Sequence, residues 1–250
     1  GSYNSSSRTV DLQTATYNTL FHVFSAGNSG TENCTEYPTG WGNITGSFKL
    51  AKNSMAVANL TNSYSASSSS SRGPAFDGRI KPDIAGQGSG LLSAGDASNS
   101  SYLTLSGTSM SAPNVTGSLL LLQQLFFNNN SRYMRASTLK GLVCHTADDA
   151  GQEGPDPVFG WGLLNCKQAA QTITNNGLTS WVSEENLANG QEYTITVNSN
   201  GSTPLIASIT WTDVPGVANN GDGPVNDPTP ALVNDLDIRI TRDGVTYFPW

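Results

Sequence analysis

The chain has 250 residues, of which 12% are charged, with a formal net charge of −7 and a pI near 4.6. That balance argues against a nucleic-acid partner, whose phosphates want a basic face, and no apolar run reaches the ~18 residues of a membrane span. Soluble domains usually carry ~25% charged residues, so Ser, Thr, Asn and Gly must keep this surface wet, which points to an extracellular protein.

Taken in chain order, Ser7 reads as the cap of a helix through Val10, Leu12 and Tyr17, with Asp11 near its positive end. Leu20 to Ala26, LFHVFSA, is a compact apolar run that suits a buried strand, broken by GNSG. Met55 to Leu60 reads as a second short strand. Helix, strand and Gly-rich loop in this order predict a parallel α/β sheet, whose ligands sit at the carboxyl ends of the strands. Residues 65–71, SASSSSS, have the composition of a flexible linker. The turn-rich RGPAFDGRIKPDI that follows allows them instead to be an ordered edge of the domain.

From Ser109 to about Asn128 the pattern is helical, with Val115, Leu119, Leu122 and Phe126 at three- and four-residue spacing. Leu120, Leu121 and Leu125 fill the other sides, which predicts a helix buried nearly all round. A second helix is expected over Ala136 to Thr146 and a third from about Leu164. After Asn176 the style changes. EYTITVNS, LIASITWTD and DLDIRITRDGVTYF alternate apolar and polar residues, as antiparallel strands do. A boundary is therefore placed at 175–180, with one domain over 1–176 and a second over 177–250. Four or so strands are few for a sandwich, which wants about seven, so the chain is expected to stop within that second domain.

The three cysteines, Cys34, Cys144 and Cys166, form no CxxC and have no histidine at zinc-finger spacing. They allow one disulfide with one thiol left over. Asp213, Asp222, Asp227, Asp235 and Asp237 gather in the second domain with Asn219, Asn220, Asn226 and Asn234. Such oxygen-rich loops suit calcium. No EF-hand spacing is present, so solvated turns are expected there, with structural calcium as the alternative.

The stretch LSGTSMSAP, residues 105–113, leads into the long helix. The first four N–H groups of a helix lack internal partners, and Pro113 placed in the first turn would cost no hydrogen bond. The backbone N–H of Ser109 and the positive helix end would then face an anion, or an oxygen that becomes one in a transition state. Gly107 and Thr108 would let another backbone approach. A serine at such a place is either a helix cap or a nucleophile, and spacing alone does not separate them.

The whole string does. GTSMSAPNVTG, Gly107 to Gly117, resembles the nucleophile signature of the subtilisin-like serine proteases, the subtilases. Ser25-Ala26-Gly27-Asn28-Ser29-Gly30 resembles the oxyanion-hole segment of that family. Ser70-Ser71-Arg72-Gly73-Pro74 and Asp77 to Ile84, DGRIKPDI, resemble the stretch before the nucleophile, and Gly160-Trp161-Gly162 with Asn165 the end of the protease domain. Ala231 to Asp237, ALVNDLD, resembles the β-domain appended to some secreted members.

The resemblance implies a partial α/β, parallel-sheet catalytic domain followed by a partial antiparallel β-sandwich-type domain. It favours the ordered reading of the serine run. It implies a secreted serine endopeptidase acting on protein or peptide substrates, with no cofactor needed for the chemistry and structural calcium in many members. Ser109 becomes the nucleophile, and Asn28 donates to the oxyanion beside the Ser109 N–H. Ser25, Ala26 and Gly27 form one wall of the pocket for the residue before the scissile bond. The Asp and His that complete the triad precede the oxyanion Asn in this family, and nothing in residues 1–27 resembles their motifs. His22 and His145 read as structural. The chain is therefore expected to lack peptidase activity by itself.

Two rivals remain. An acid-acting sedolisin carries Asp where this chain has Asn28. A non-catalytic secreted module, a pseudo-protease or adhesion protein, would show its decay at the missing Asp and His. An α/β-hydrolase is disfavoured because Ser111 stands where G-x-S-x-G needs its second glycine.

Overall fold

Asn4, not Ser7, caps the first helix in the computed structural model, which describes residues 2–46, 48–219 and 227–249. The Asn4 side chain accepts from the N–H groups of Ser6 and Ser7 at the head of α1, Ser5–Thr16. Ser7 is buried one turn inside. Asp11 is buried too, and serves the tertiary fold rather than the helix end. Its carboxylate accepts from the Tyr3 hydroxyl at 2.8 Å and from the N–H of Asn53 at 2.9 Å.

The apolar runs form the expected parallel sheet. Strands β1 (Val23–Ser25), β2 (Met55–Leu60) and β3 (Ile84–Gln87) lie in the order β1-β2-β3. Val23 pairs with Met55 and Val57 with Ile84. Every residue of β2 is buried, as a central parallel strand covered on both faces should be. The serine run is an ordered edge. Ser70 and Ser71 are buried, the Ser70 hydroxyl accepts from the Asn59 N–H, and the Ser71 N–H donates to the Gly27 carbonyl at 2.8 Å.

A hairpin of β4 (Leu91–Ala94) and β5 (Tyr102–Leu105) leads directly into α2, Thr108–Asn130. Ala112, Val115, Leu119, Leu122 and Phe126 of α2 pack in the main core with Met55, Val57 and Ile84 of the sheet. Burial is one-sided, contrary to the all-round expectation, for Leu120 and Leu121 are 65% and 67% exposed. The sheet and α4 (Cys166–Thr174) cover a single stripe at three- and four-residue spacing. Leucines one or two positions off that stripe point away from it.

The head of α2 approaches the carboxyl ends of β2 and β3 closely. A methyl group on Gly88 would stand 2.6 Å from the Gly107 carbonyl oxygen and 2.7 Å from the Ser111 nitrogen. The buried Ser111 hydroxyl reaches the carbonyls of Ala58 at 2.8 Å and Gly86 at 2.6 Å. Ser111 thus ties the helix to two adjacent strands. Ser111→Ala removes the one hydroxyl proton that these two buried carbonyls share and is expected to lower stability by about 1–3 kcal/mol. Urea denaturation measures it; a loss below about 0.5 kcal/mol, the level of an ordinary surface change, would refute the role.

Helix α3 spans Ala136–His145, and Asn165 caps α4 through the Gln168 N–H. Beyond α4 the structure departs from expectation. The described residues of 177–250 hold one hairpin, β6 (Ile240–Arg242) and β7 (Val245–Tyr247), closed by Asp243 and Gly244 at φ 51° and 81°. Two positive φ values at the turn centre match the preferred hairpin geometry. The segments 192–199 and 205–213 form no ladder among the described residues. Alternation marks a segment that can bury one face, but a strand exists only where a neighbour completes its hydrogen bonds.

Part of this region docks firmly on the first. The Lys52 ammonium binds the Asp213 carboxylate at 2.5 Å and the carbonyls of Val214 and Ala231 at 2.6 and 2.8 Å. Asn53 and Asp213 exchange a further pair of hydrogen bonds. Cys34, Cys144 and Cys166 are all free thiols, so the disulfide allowed by their number is not formed. Cys144 is packed in the core on α3, while Cys34 lies far from it in sequence on the segment between β1 and β2.

Candidate active site

The site is built where β1 ends and α2 begins. Gly107 is the N-cap of α2 at φ 150°, a conformation that side chains rarely adopt. A methyl group there would stand 3.2 Å from Asn28 Nδ2. Close approach therefore depends on Gly107, and Thr108 has a different task. Its N–H and its hydroxyl both donate to Asn28 Oδ1, each at 3.0 Å, and its Oγ1 accepts from the Gly27 N–H at 3.2 Å. An N–H can only donate, so the atom facing Thr108 must be the amide oxygen. The Asn28 NH2 group is thereby turned the other way.

Asn28 in effect caps α2 from a distant strand end, satisfying one orphan N–H that Gly107 has no side chain to reach. Ser109 is the second helical residue, not the cap. Its side chain is exposed, and its Oγ has no hydrogen-bond partner among the described residues. The cap reading of Ser109 fails on this geometry. Pro113 also differs from expectation. The N–H groups of Met110 and Ser111 both bond the Gly107 carbonyl, so the helix starts at Thr108 and Pro113 falls in the second turn. A proline there removes the helical donor for the Ser109 carbonyl.

The 25–30 segment is held from behind. The Ala26 N–H donates to the Val57 carbonyl, the Ser29 N–H to Ser71 Oγ and the Gly30 N–H to the Ser69 carbonyl. Gly27 has φ 118°, and a methyl group on it would meet Ser71 Oγ at 2.8 Å. Ser25, Ala26, Gly27 and Asn28 therefore run as a braced ledge toward the head of α2. Sequence reasoning missed Thr108 as the orienting hydroxyl, and Ser71 as the brace. The signal for Thr108 lies inside GTSMSAP, where a hydroxyl beside the serine reads as small before it reads as polar.

Neither histidine reaches this place. The His22 ring stacks on Phe24, and its Nε2 is buried with no hydrogen-bond partner among the described residues. His145 Nδ1 contacts Ser208 Oγ at 2.8 Å. Burial lowers the pKa of both rings, which favours their neutral form. Of the oxygen-rich residues, Asp213 already binds Lys52 and the N–H groups of Val233 and Asn234. Asn220, Asp222 and Asn226 lie outside the described residues.

Comparison with known proteins bears on this geometry. The family model described as the subtilase family matches residues 1–162. An extracellular serine protease of Serratia marcescens is 38% identical over 95 residues, which is 38% of this chain and 8% of that protein. C5a peptidase of Streptococcus pyogenes is 33% identical over 147 residues, 54% of this chain and 12% of that one. The crystal structure of a lanthipeptide protease shares the fold at a TM-score of 0.52 and 22% identity, covering 67% of this chain and 54% of that chain. The chain thus spans about a tenth of the length of these two sequence relatives.

Proposed function

This chain belongs to the subtilase family, and on that premise we propose that it carries the acyl-transfer half of a serine endopeptidase site. Ser109 Oγ attacks the carbonyl carbon of the scissile peptide bond and gives its proton to an imidazole base. The carbonyl oxygen becomes an oxyanion between Asn28 Nδ2 and the Ser109 N–H. The C–N bond then breaks as the base returns the proton to the leaving amine, and water releases the acyl group by the same steps. Ser25, Ala26 and Gly27 flank the residue before the scissile bond.

The observation that carries this reading is the Asn28 amide. Its oxygen is anchored on Thr108, so its two donors stand beside the head of α2, preset for charge that develops in the transition state. The base and its carboxylate partner come, in this proposal, from outside these 250 residues. So does the rest of a β-domain that begins at about residue 177. The chemistry needs no cofactor. The extracellular relative supports an extracellular setting, and no helix among the described residues is long and apolar enough to cross a membrane.

The test is hydrolysis of a peptide substrate by the full-length protein, by its Ser109→Ala variant, and by the 250-residue chain alone. Turnover by the full-length protein alone is expected. Undiminished turnover by the Ser109→Ala variant would exclude the nucleophile. Cleavage by the isolated chain, abolished by Ser109→Ala, would show instead that the base lies within it.

A further inference from the structure

Lys49 stands against the ledge of residues 25–28. It lies in a short 3-10 turn, Phe48–Leu50, whose Phe48 ring stacks on Phe24 of β1. Lys49 Nζ donates to the Ala26 carbonyl at 3.1 Å. A methyl group on Gly27 would meet the same nitrogen at 3.4 Å, and one on Gly46 at 3.7 Å. The ammonium is therefore seated on the bare backbone of residues 26 and 27, framed by glycines that leave room beside it.

What it lacks, among the described residues, is an anion. Lys52 binds Asp213, and Lys81 and Lys140 share Asp83. Lys49 is partly buried, yet no carboxylate among the described residues pairs with it. Burial lowers its pKa with no nearby charge to oppose the shift. An ammonium carries three donors, and one carbonyl uses one of them. Holding a partly desolvated charge without a counter-ion is costly, and a ligand carboxylate would offset that cost.

We infer that Lys49 selects substrates with a carboxylate side chain, glutamate or aspartate, at the residue before the scissile bond. The inference rests on the reading of Ser25, Ala26 and Gly27 as a substrate wall, and it deepens that reading by naming the substrate class. A lysine that only braces the Ala26 carbonyl would affect all substrates alike. The two roles therefore differ in ratio, not in rate.

The experiment compares kcat/KM of the full-length protein for peptides identical except for Glu, Gln, Leu or Ala at that residue. Glu is expected to exceed Gln by about 10-fold or more, the size of one hydrogen bond to a charged group. Lys49→Met should bring the Glu-to-Gln ratio to near unity, while Lys49→Arg should retain it, so a folding defect in one variant does not decide the matter. Equality of Glu and Gln, a preference for Ala or Leu over Glu, or an unchanged ratio in Lys49→Met would each overturn the inference. Affinity of the Ser109→Ala protein for the Glu and Gln peptides is measured alongside and needs no catalysis. Tighter binding of Glu there supports the role of Lys49 even if Ser109 proves not to be the nucleophile, and equal binding refutes it even if Ser109 is.

Discussion

Asn28→Asp in the full-length protein is expected to lower kcat by about 10²–10³-fold, or roughly 3–4 kcal/mol, with little change in KM. The size is the one known for loss of a single oxyanion donor in a subtilisin, and the Asn28 geometry supplies only the direction. The choice of Asp separates two jobs of one side chain. Asn28 Oδ1 accepts from Thr108 and so closes the head of α2. Asp keeps that acceptor, and an anion suits a helix N-terminus, so the thermal midpoint should hold. What Asp loses is the NH2 group, and what it adds is negative charge beside a developing oxyanion. Asn28→Ala removes both jobs and should cost a further ~1 kcal/mol of stability, as loss of a cap does. Steady-state kinetics with melting curves on both variants checks this. An Asn28→Asp enzyme within threefold of the parent kcat would remove Asn28 from the oxyanion site.

Asp83→Ala is expected to destabilise the fold by about 3–5 kcal/mol, the cost of removing one partner from a buried charge cluster. Against a typical total of ~5–15 kcal/mol, that threatens folding itself. Asp83 Oδ2 binds Lys81 Nζ at 2.5 Å, Oδ1 binds Lys140 Nζ at 2.8 Å, and Oδ2 also accepts from the Ala56 N–H at 2.7 Å. One carboxylate thus joins the start of β3, helix α3 and the central strand β2. Its removal leaves Lys81, 1% exposed, with only a Ser54 carbonyl at 3.4 Å among the described residues. Burial lowers the Lys81 pKa and by itself would raise that of Asp83. Lys140, Lys81 and the Ala56 N–H outweigh it and hold the Asp83 carboxyl below the usual carboxylate value. The carboxylate is the better-satisfied partner, so its direction sets the pH dependence.

A depressed folded pKa means that the native state binds fewer protons than the unfolded chain. The Asp83 contribution is then complete above the unfolded value of ~3.9 and is lost as pH falls through the lower folded value. Urea midpoints measured downward from pH 6 should fall more steeply in the parent than in Asp83→Ala. Parallel slopes would show that the cluster does not titrate as described.

The expectations that survived rest on local regularities. Met55–Leu60 is readable as a strand because a short run with five apolar residues of six, set between polar turns, has few other uses. The helix from Thr108 is readable because Val115, Leu119, Leu122 and Phe126 keep one face. Ser109 and Asn28 stand apart: family resemblance names them, their catalytic roles belong to the proposal above, and spacing leaves Ser109 open between cap and nucleophile. The failures share a cause. Hydropathy assigns Leu120 and Leu121 to the core, but burial depends on what stands opposite. The strands expected at 192–199 and 205–213 have the right alternation and no partner among the described residues.

Periodicity, turn chemistry and the subtilase signature were therefore enough for the α/β class and the parallel order of elements, and for naming Ser109 as the nucleophile to test. Those properties are written in residues close together along the chain. The orientation of the Asn28 amide and the seat of Lys49 on the Ala26 carbonyl were not, nor was the meeting of Lys81 and Lys140 on Asp83. The Asn28 contact joins residues 80 positions apart and the Lys49 contact residues 23 apart. Which nitrogen faces which oxygen there is set by how strands and helices close against one another, and only the tertiary structure decides it.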